Sequence, residues 1–435
     1  MDTVVIGAGF TGIAAAWELS QSGHKVTVLE YSHQPGGLAA GFKAKGWRWP
    51  LEYHYHHIFA SDKAILNLIE DMGLTHLVSF RSTLTGVLRN NRISPIDSPV
   101  TLMRLPFIPF IDKCRIGATL AFLKITNGWQ MLEKVTASSF LTRTMGTRGY
   151  EELWKPLLVG KFGSFANEIN AAWFWARIKA RTKKLGYFDH GFAGMAEAMI
   201  SVLKKNGVTI AYGSQVEKIA EDPNGKVAIR YSQNGKTLKL LADQALVTLP
   251  ATQVTKLVNS LSQSLHAKLS RLKSLGAITV VLELEGPLFK KGWYWLNIND
   301  PKPFLAVVEH TNFVDAKNYG NKSIVYVGKY LSPTDPLYAS SDEKIVQLFT
   351  ENLTSIPETN PLTISRSWVN RAPFAQPIAP INQSMNLPPH VISPGKIYWT
   401  SMQHIYPWDR GTNFAVGTGV SIVQKMNEDL RTQAS

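Results

Sequence analysis

Six residues near the start of the chain, Gly7-Ala8-Gly9-Phe10-Thr11-Gly12, have the types and spacing to hold the phosphates of a dinucleotide. In this G-x-G-x-x-G pattern the first glycine permits a tight turn and the second lets the backbone approach a pyrophosphate. The third lets a helix pack closely on a sheet. The pattern stands between an apolar, β-branched run, Thr3-Val4-Val5-Ile6, and an amphipathic stretch from Ile13 to Ser22, so the expected order is strand, turn, helix. Amides of the first helical turn would face the phosphates with the helix dipole behind them. A second β-branched run, Lys25-Val26-Thr27-Val28-Leu29, ends on Glu30, at close to the roughly 20 residues expected of a dinucleotide fingerprint. A carboxylate there can accept hydrogen bonds from both hydroxyls of an adenosine ribose and would repel a 2′-phosphate. The glycines alone are a weak signal, but strand, helix and acid in register make it specific.

Two further groups could do chemistry. Tyr53-His54-Tyr55-His56-His57 is dense in imidazole, and a neutral His56 or His57 can take a proton from a substrate or hydrogen-bond a cofactor ring. The partial alternation from Gly46 to Phe59 fits a strand or two. In a strand His56 and His57 would point opposite ways, so at most one is expected to face a reacting group; a structural role in the core is the other reading of either. The segment has no partner cluster with metal-ligand spacing, and no metal is expected. Lys161 and Arg177 could meet an anionic substrate group, although surface salt bridges are the commoner use of such residues.

Pro35-Gly36-Gly37-Leu38-Ala39-Ala40-Gly41 follows Glu30 closely, and here the chain resembles the flavin amine oxidase superfamily, which includes protoporphyrinogen oxidases, phytoene desaturases and UDP-galactopyranose mutases. The resemblance implies FAD, with Gly36, Gly37 and Leu38 running beside its diphosphate. Gln34 and Leu38 stand near places where the family often has Arg, a departure that removes one charge contact. The likeness continues through Leu153-Trp154-Lys155-Pro156-Leu157-Leu158-Val159-Gly160-Lys161-Phe162-Gly163 and through Arg371-Ala372-Pro373-Phe374-Ala375-Gln376-Pro377. It implies that the backbone of Val216 lies against adenine. It also implies that a C-terminal strand, loop and helix bring Thr412, Asn413 and Phe414 to the pyrimidine end of the flavin ring, with Asp409 or Arg410 at the ribityl or diphosphate end. Amides at such a helix start stabilise the charge that reduced flavin carries. Tyr31, next to Glu30, completes the expected cofactor set.

The resemblance implies an FAD-dependent dehydrogenase or oxidase, protoporphyrinogen oxidase-like or desaturase-like, that moves a hydride from a bulky, largely apolar substrate to flavin N5. A non-redox enzyme resembling UDP-galactopyranose mutase is the alternative, since His56-His57-Ile58-Phe59 is similar to a segment of those mutases. Arg177, Arg366 and Arg371 could then supply a pair for a diphosphate. A flavin amine oxidase ranks lower, because the strand expected to carry that group's lysine, Gly276-Ala277-Ile278-Thr279-Val280-Val281, has none. A flavin-binding scaffold without catalysis ranks last.

The elements that must position these residues point to an α/β fold. The resemblance implies a Rossmann-type FAD-binding domain (GR2-like) with an inserted α+β substrate domain and a helical lid or membrane-facing subdomain. The expected parts of the FAD domain are residues 1–85, 205–270 and 386–435; those of the substrate domain are 86–204, helical, and 271–385, with a mixed sheet. Thr101 to Ile111 reads as a Pro-interrupted apolar run flanked by Arg104, Lys113 and Arg115, and residues 101–125 suit either a lid over the cavity or a membrane interface. At 45% hydrophobic and 18% charged the chain is globular. Its one cysteine, Cys114, precludes an internal disulfide and leaves no cysteine near the C-terminal flavin region, so the FAD is expected to be non-covalent. No apolar run is long enough to span a membrane, and the fingerprint leaves no room for a signal peptide ahead of it. The expected location is cytoplasmic, with peripheral attachment to a membrane as the variant. The net charge of +14 suits anionic surfaces or acidic substrates; scattered Lys and Arg without a recognisable module argue against nucleic acid. A small-molecule substrate is the expected partner, and the oligomeric state is left open.

Overall fold

The computed structural model describes residues 1–259 and 261–434. A six-stranded sheet collects segments far apart in the chain, in the order Thr209–Ala211, Lys25–Leu29, Asp2–Ile6, Gln244–Val247, Ile397–Trp399 and Val391–Ser393. The first five strands are parallel and the last is antiparallel. Asp2–Ile6 lies in the middle and is buried after its first residue, as a strand covered on both faces must be. The helix Phe10–Gln21 covers one face with Ile13, Ala14, Ala15, Ala16 and Leu19 fully buried. Three alanines in succession let the C-terminal helix, Thr412–Ala434, come close: a Cβ on Gly419 would lie 2.4 Å from the Thr11 carbonyl oxygen. A three-stranded antiparallel sheet, Gln215–Glu221, Val227–Gln233 and Lys236–Ala242, packs with the helices Ala251–Leu257 and Gln263–Arg271.

The second large sheet has seven strands, in the order Ile364–Pro377, Ser274–Leu284, Ser323–Leu331, Ala306–Glu309, Trp293–Ile298, Leu84–Arg89 and Arg92–Pro95. It is antiparallel except where Trp293–Ile298 meets Leu84–Arg89. The edge hairpin turns at Asn90-Asn91, both at positive φ, and Asp300 accepts hydrogen bonds from both of their amides at 2.7 and 2.9 Å. Between the hairpin and the return to the first sheet lie the helices Phe110–Ile125, Ala137–Met145, Lys155–Phe162 and Ala171–Ala180, wrapped around one apolar cluster. Asn170 caps the last of these through the Trp173 amide at 3.0 Å.

The histidine segment departs from expectation. Only Leu51–Glu52 and Ile58–Phe59 are strand, and residues 53–57 are irregular. Strand alternation therefore does not govern His56 and His57. The helix Phe110–Ile125 also does not roof the cavity described below; it packs on Ala137–Met145 and Ala171–Ala180, and none of residues 101–125 lines that cavity.

Candidate functional site

The glycine pattern forms a cradle built of backbone. Gly7 has φ +105, and a Cβ there would stand 2.6 Å from Thr248 Oγ1; Thr248 in turn donates to the Ile6 carbonyl at 2.8 Å. Gly12 has no room either, since a Cβ would fall 1.9 Å from the Gly7 carbonyl oxygen. Gly9 differs: its backbone is ordinary extended chain (φ −71, ψ 172), and the nearest atom to an added methyl would be Gly37 Cα at 3.9 Å. The Gly36-Gly37 pair, at φ +112 and +58, is docked on this turn by the Gly36 amide bonding to the Ala8 carbonyl at 2.9 Å. No side chain caps the helix that starts at Phe10, and its first turn has no acid, so the amides of Phe10, Thr11 and Gly12 carry the positive end of the helix dipole. Two glycine segments in backbone contact beside an uncapped helix start have the shape and charge to receive a diphosphate.

Glu30 closes the far end. Its carboxylate accepts from the Ala8 amide at 2.6 Å and from the Ser32 amide at 2.8 Å. The Ser214 amide bonds the Glu30 carbonyl, which brings the turn before Val216 against Glu30. Tyr212 Oη and Ser214 Oγ are buried there without hydrogen-bond partners among the described residues, and such orphans suit a polar ligand such as an adenosine. Tyr31 is 72% exposed beside them.

A cavity of about 200 Å³ opens between the seven-stranded sheet, the helical region and the start of the C-terminal helix. Tyr55, Phe59, Leu157, Trp295, Leu305, Tyr330 and Phe414 supply apolar walls, and Thr412, Asn413 and Gly411 bring the start of the C-terminal helix to it. Both His56 and His57 line it, which the irregular path of residues 53–57 allows. His56 Nδ1 lies 2.6 Å from the His54 carbonyl oxygen; a carbonyl only accepts, so Nδ1 carries the proton and Nε2 keeps its lone pair. Burial draws His56 down to about 4 and His57 to about 3, so both rings are neutral near pH 7. His57 Nδ1 is 3.3 Å from the Tyr294 hydroxyl. A small side pocket adjoins the cavity through Tyr55, His56, Tyr330 and Arg410, and Leu38, His54, Thr279 and Lys329 also line it.

The cationic residues are placed differently from expectation. Lys161 is 5% exposed and bonds Asp409 Oδ2 at 2.6 Å, deep in the cavity wall and not on the surface. Arg177 reaches the same oxygen at 3.8 Å, Trp173 Nε1 donates to Oδ1 at 3.0 Å, and the Arg410 amide donates to Oδ1 at 3.0 Å. Burial works against ionisation of Asp409, but Lys161 and Arg177 outweigh it and hold the carboxyl below its usual range. Asp409 thus spends its oxygens on the protein. Arg410 points its Nε at Gln376 Oε1 and stacks over Tyr330. Asn413 Oδ1 accepts from the Ile65 amide at the start of the helix Lys63–Asp71. Of the arginines considered for a diphosphate, only Arg177 lines the cavity. Arg366 grips Glu283, and Arg371 bonds Asp342 and the carbonyls of Tyr338 and Ser340. Sequence reasoning missed Arg181, which directly follows the last residue of the helix Ala171–Ala180 and is legible only once the helix is placed. It also missed Lys329, which comes from the strand next to the one searched for a lysine.

Comparison with known proteins gives this arrangement a lineage. A family model described as flavin containing amine oxidoreductase matches residues 10–425. Coproporphyrinogen III oxidase of Staphylococcus aureus is 23% identical over 288 residues, which span 57% of this chain and 60% of that protein. The chain spans between half and three fifths of the length of the first curated relatives it matches. Among solved structures, a reduced UDP-galactopyranose mutase superposes with a TM-score of 0.78 at 15% identity, over 98% of this chain and 95% of the mutase. Cyclohexylamine oxidase from Brevibacterium oxydans gives 0.75 at 15% identity over 99% of both chains. At these identities the two structures share the fold.

Proposed function

As the chain belongs to the flavin containing amine oxidoreductase family, we propose that it is an FAD-dependent oxidoreductase that oxidises a bulky small molecule held in the cavity beside His56. The observation that carries this reading is the backbone cradle of Gly9 against Gly36-Gly37 at an uncapped helix start. Gly7 to Gly12, Gly36 and Gly37 would hold the diphosphate of a non-covalent FAD, Glu30 the ribose, and Thr412 and Phe414 the ring edge. Bound flavin supplies the two-electron acceptor. The chain's own residues exclude water with Tyr55, Phe59, Trp295 and Tyr330, and orient substrate against His56 Nε2, whose lone pair is free to receive a substrate proton. The mutase-like reading keeps one observation in its favour, the arginines in the cavity. The amine oxidase reading is weakened by the same positive charge, which repels a protonated amine.

The test is anaerobic mixing of the flavin-loaded protein with a substrate panel. Bleaching of the flavin by a panel member supports oxidation; turnover that requires pre-reduced flavin and consumes no electrons replaces it with the mutase-like reaction.

Residues 101–125 carry a companion proposal of peripheral membrane contact. Phe110, Ile111 and Ile125 are 71%, 66% and 77% exposed, with Met131 at 78%, and Arg104, Arg115 and Lys124 are exposed among them. Among the described residues no helix is long and apolar enough to cross a membrane. Lys124 Nζ bonds the carbonyls of Ile178, Lys179 and Arg181, so this face adjoins the cavity mouth. An apolar face with basic residues beside it fits an anionic bilayer surface.

A further inference from the structure

The cavity carries more positive charge than its carboxylates balance. Lys161, Arg177, Arg181 and Arg410 line it against Asp62 and Asp409. Lys161 is committed to Asp409. Asp62 turns its carboxylate to the Phe59 amide, and burial raises it to about 6. Arg410 is partly satisfied by Gln376 and the Tyr330 ring. Arg177 is not: among the described residues its Nε is buried without a hydrogen-bond partner, and its one ion pair is the 3.8 Å approach to an Asp409 that Lys161 already holds. Arg181, exposed at the mouth, has no hydrogen-bond or ion-pair partner for its guanidinium among the described residues. A guanidinium offers five donors in a fixed fork, and leaving them unmet in a wall that excludes water is costly. None of the cradle residues Gly7 to Gly12, Gly36 or Gly37 lines this cavity, and neither Arg177 nor Arg181 lines the side pocket that Leu38 reaches.

We propose that the cavity binds an anionic amphiphile, with Arg177 and Arg181 gripping its carboxylate or phosphate and the aromatic walls holding its apolar body. This deepens the reading of the cavity as a substrate site and rests on it. Arg181 at the mouth, just past the end of the helix Ala171–Ala180, and Arg177, less exposed and four residues earlier, form a track, so an anion is drawn inward before it is desolvated. The net surplus, two positive charges, matches a phosphate monoester or two carboxylates better than one carboxylate. The same surplus selects against cationic amines.

The experiment is calorimetric titration of the purified, flavin-loaded chain with three probes of one chain length, dodecyl phosphate, laurate and dodecyltrimethylammonium. The wild type, Arg177→Gln and Arg181→Gln are compared, with flavin content read from absorbance in each sample. Expected is binding of both anionic probes, dodecyl phosphate tighter than laurate, and no binding of the cation. Arg177→Gln should weaken the phosphate by at least ~10-fold, the loss of one charge-assisted contact. Arg181→Gln, at an exposed position that does not endanger folding, should weaken it less and flatten its salt dependence. Laurate as the tighter probe would assign a carboxylate, and dodecyl phosphate a phosphate. Equal binding of the cationic probe, or unchanged affinity in both variants, would overturn the proposal while leaving a flavin-loaded protein intact as an oxidoreductase. A flavin-free protein that still prefers anions would do the reverse.

Discussion

Replacing Gly9 with Ala separates a phosphate cradle from an ordinary tight turn. At Gly9 the backbone already has dihedrals that alanine adopts, and a methyl would meet nothing closer than Gly37 Cα at 3.9 Å. The folded chain therefore has no reason to object, and the narrower unfolded ensemble should add about 0.4–1 kcal/mol of stability. The methyl would, however, occupy the gap through which a pyrophosphate reaches the amides of the helix start. Losing one or two hydrogen bonds to a charged group, at about 1.5–3 kcal/mol each, predicts flavin binding weaker by roughly 100-fold. Gly12→Ala is the contrast. Its methyl would overlap the Gly7 carbonyl at 1.9 Å, a backbone clash that no side-chain rotation relieves, so it should cost stability by about 1–3 kcal/mol or more. The assays are urea unfolding of the flavin-free chains and titration with FAD followed by quenching of its fluorescence. Wild-type flavin affinity in Gly9→Ala would refute the reasoning, because it would mean that no phosphate lies where the cradle leaves room.

Glu52 is fully buried between the Tyr187 hydroxyl and the Phe192 amide, and burial raises it to about 7 against an ordinary 4.5. The native state thus binds its proton more tightly than the unfolded chain, and this contribution to stability is full below pH 4.5 and lost as pH rises through 7. The loss is on the order of 3 kcal/mol, and Glu52→Gln should flatten it in melting temperatures recorded between pH 5 and 8. Asp409→Asn leaves Lys161 buried without its counter-charge and should destabilise by about 3–5 kcal/mol in urea unfolding; a change near zero would mean that water already reaches Lys161. Phe110→Ser with Ile125→Ser should reduce co-sedimentation with vesicles containing phosphatidylserine, with no change in melting temperature since both side chains are largely exposed. Equal sedimentation of variant and wild type would remove the membrane proposal.

The part of this molecule written in local order was readable from sequence. The strand, glycine turn, helix and acid from Thr3 to Glu30 are contiguous, and each residue's task follows from its neighbours. The seven-stranded sheet was readable as separate β-branched runs but not as an order, because its edge hairpin at Leu84–Arg89 pairs with Trp293–Ile298 across some two hundred residues. The cavity was least legible. Lys161 and Arg177 read in sequence as surface ion pairs because nothing local reveals that Asp409 from the far end of the chain turns toward them. His56 and His57 share one cavity because the chain between two short strands is irregular, where alternation no longer applies. Arg181 and Lys329 gain meaning only from where their helix and strand end up.

The most direct test of flavin binding is the absorption spectrum of the purified chain, taken before and after acid precipitation. Flavin bands are expected in the native protein, with their complete release into the supernatant, where chromatography identifies FAD. A colourless protein that no incubation with FAD can reconstitute, or flavin that stays with the precipitate, would contradict a non-covalent FAD site.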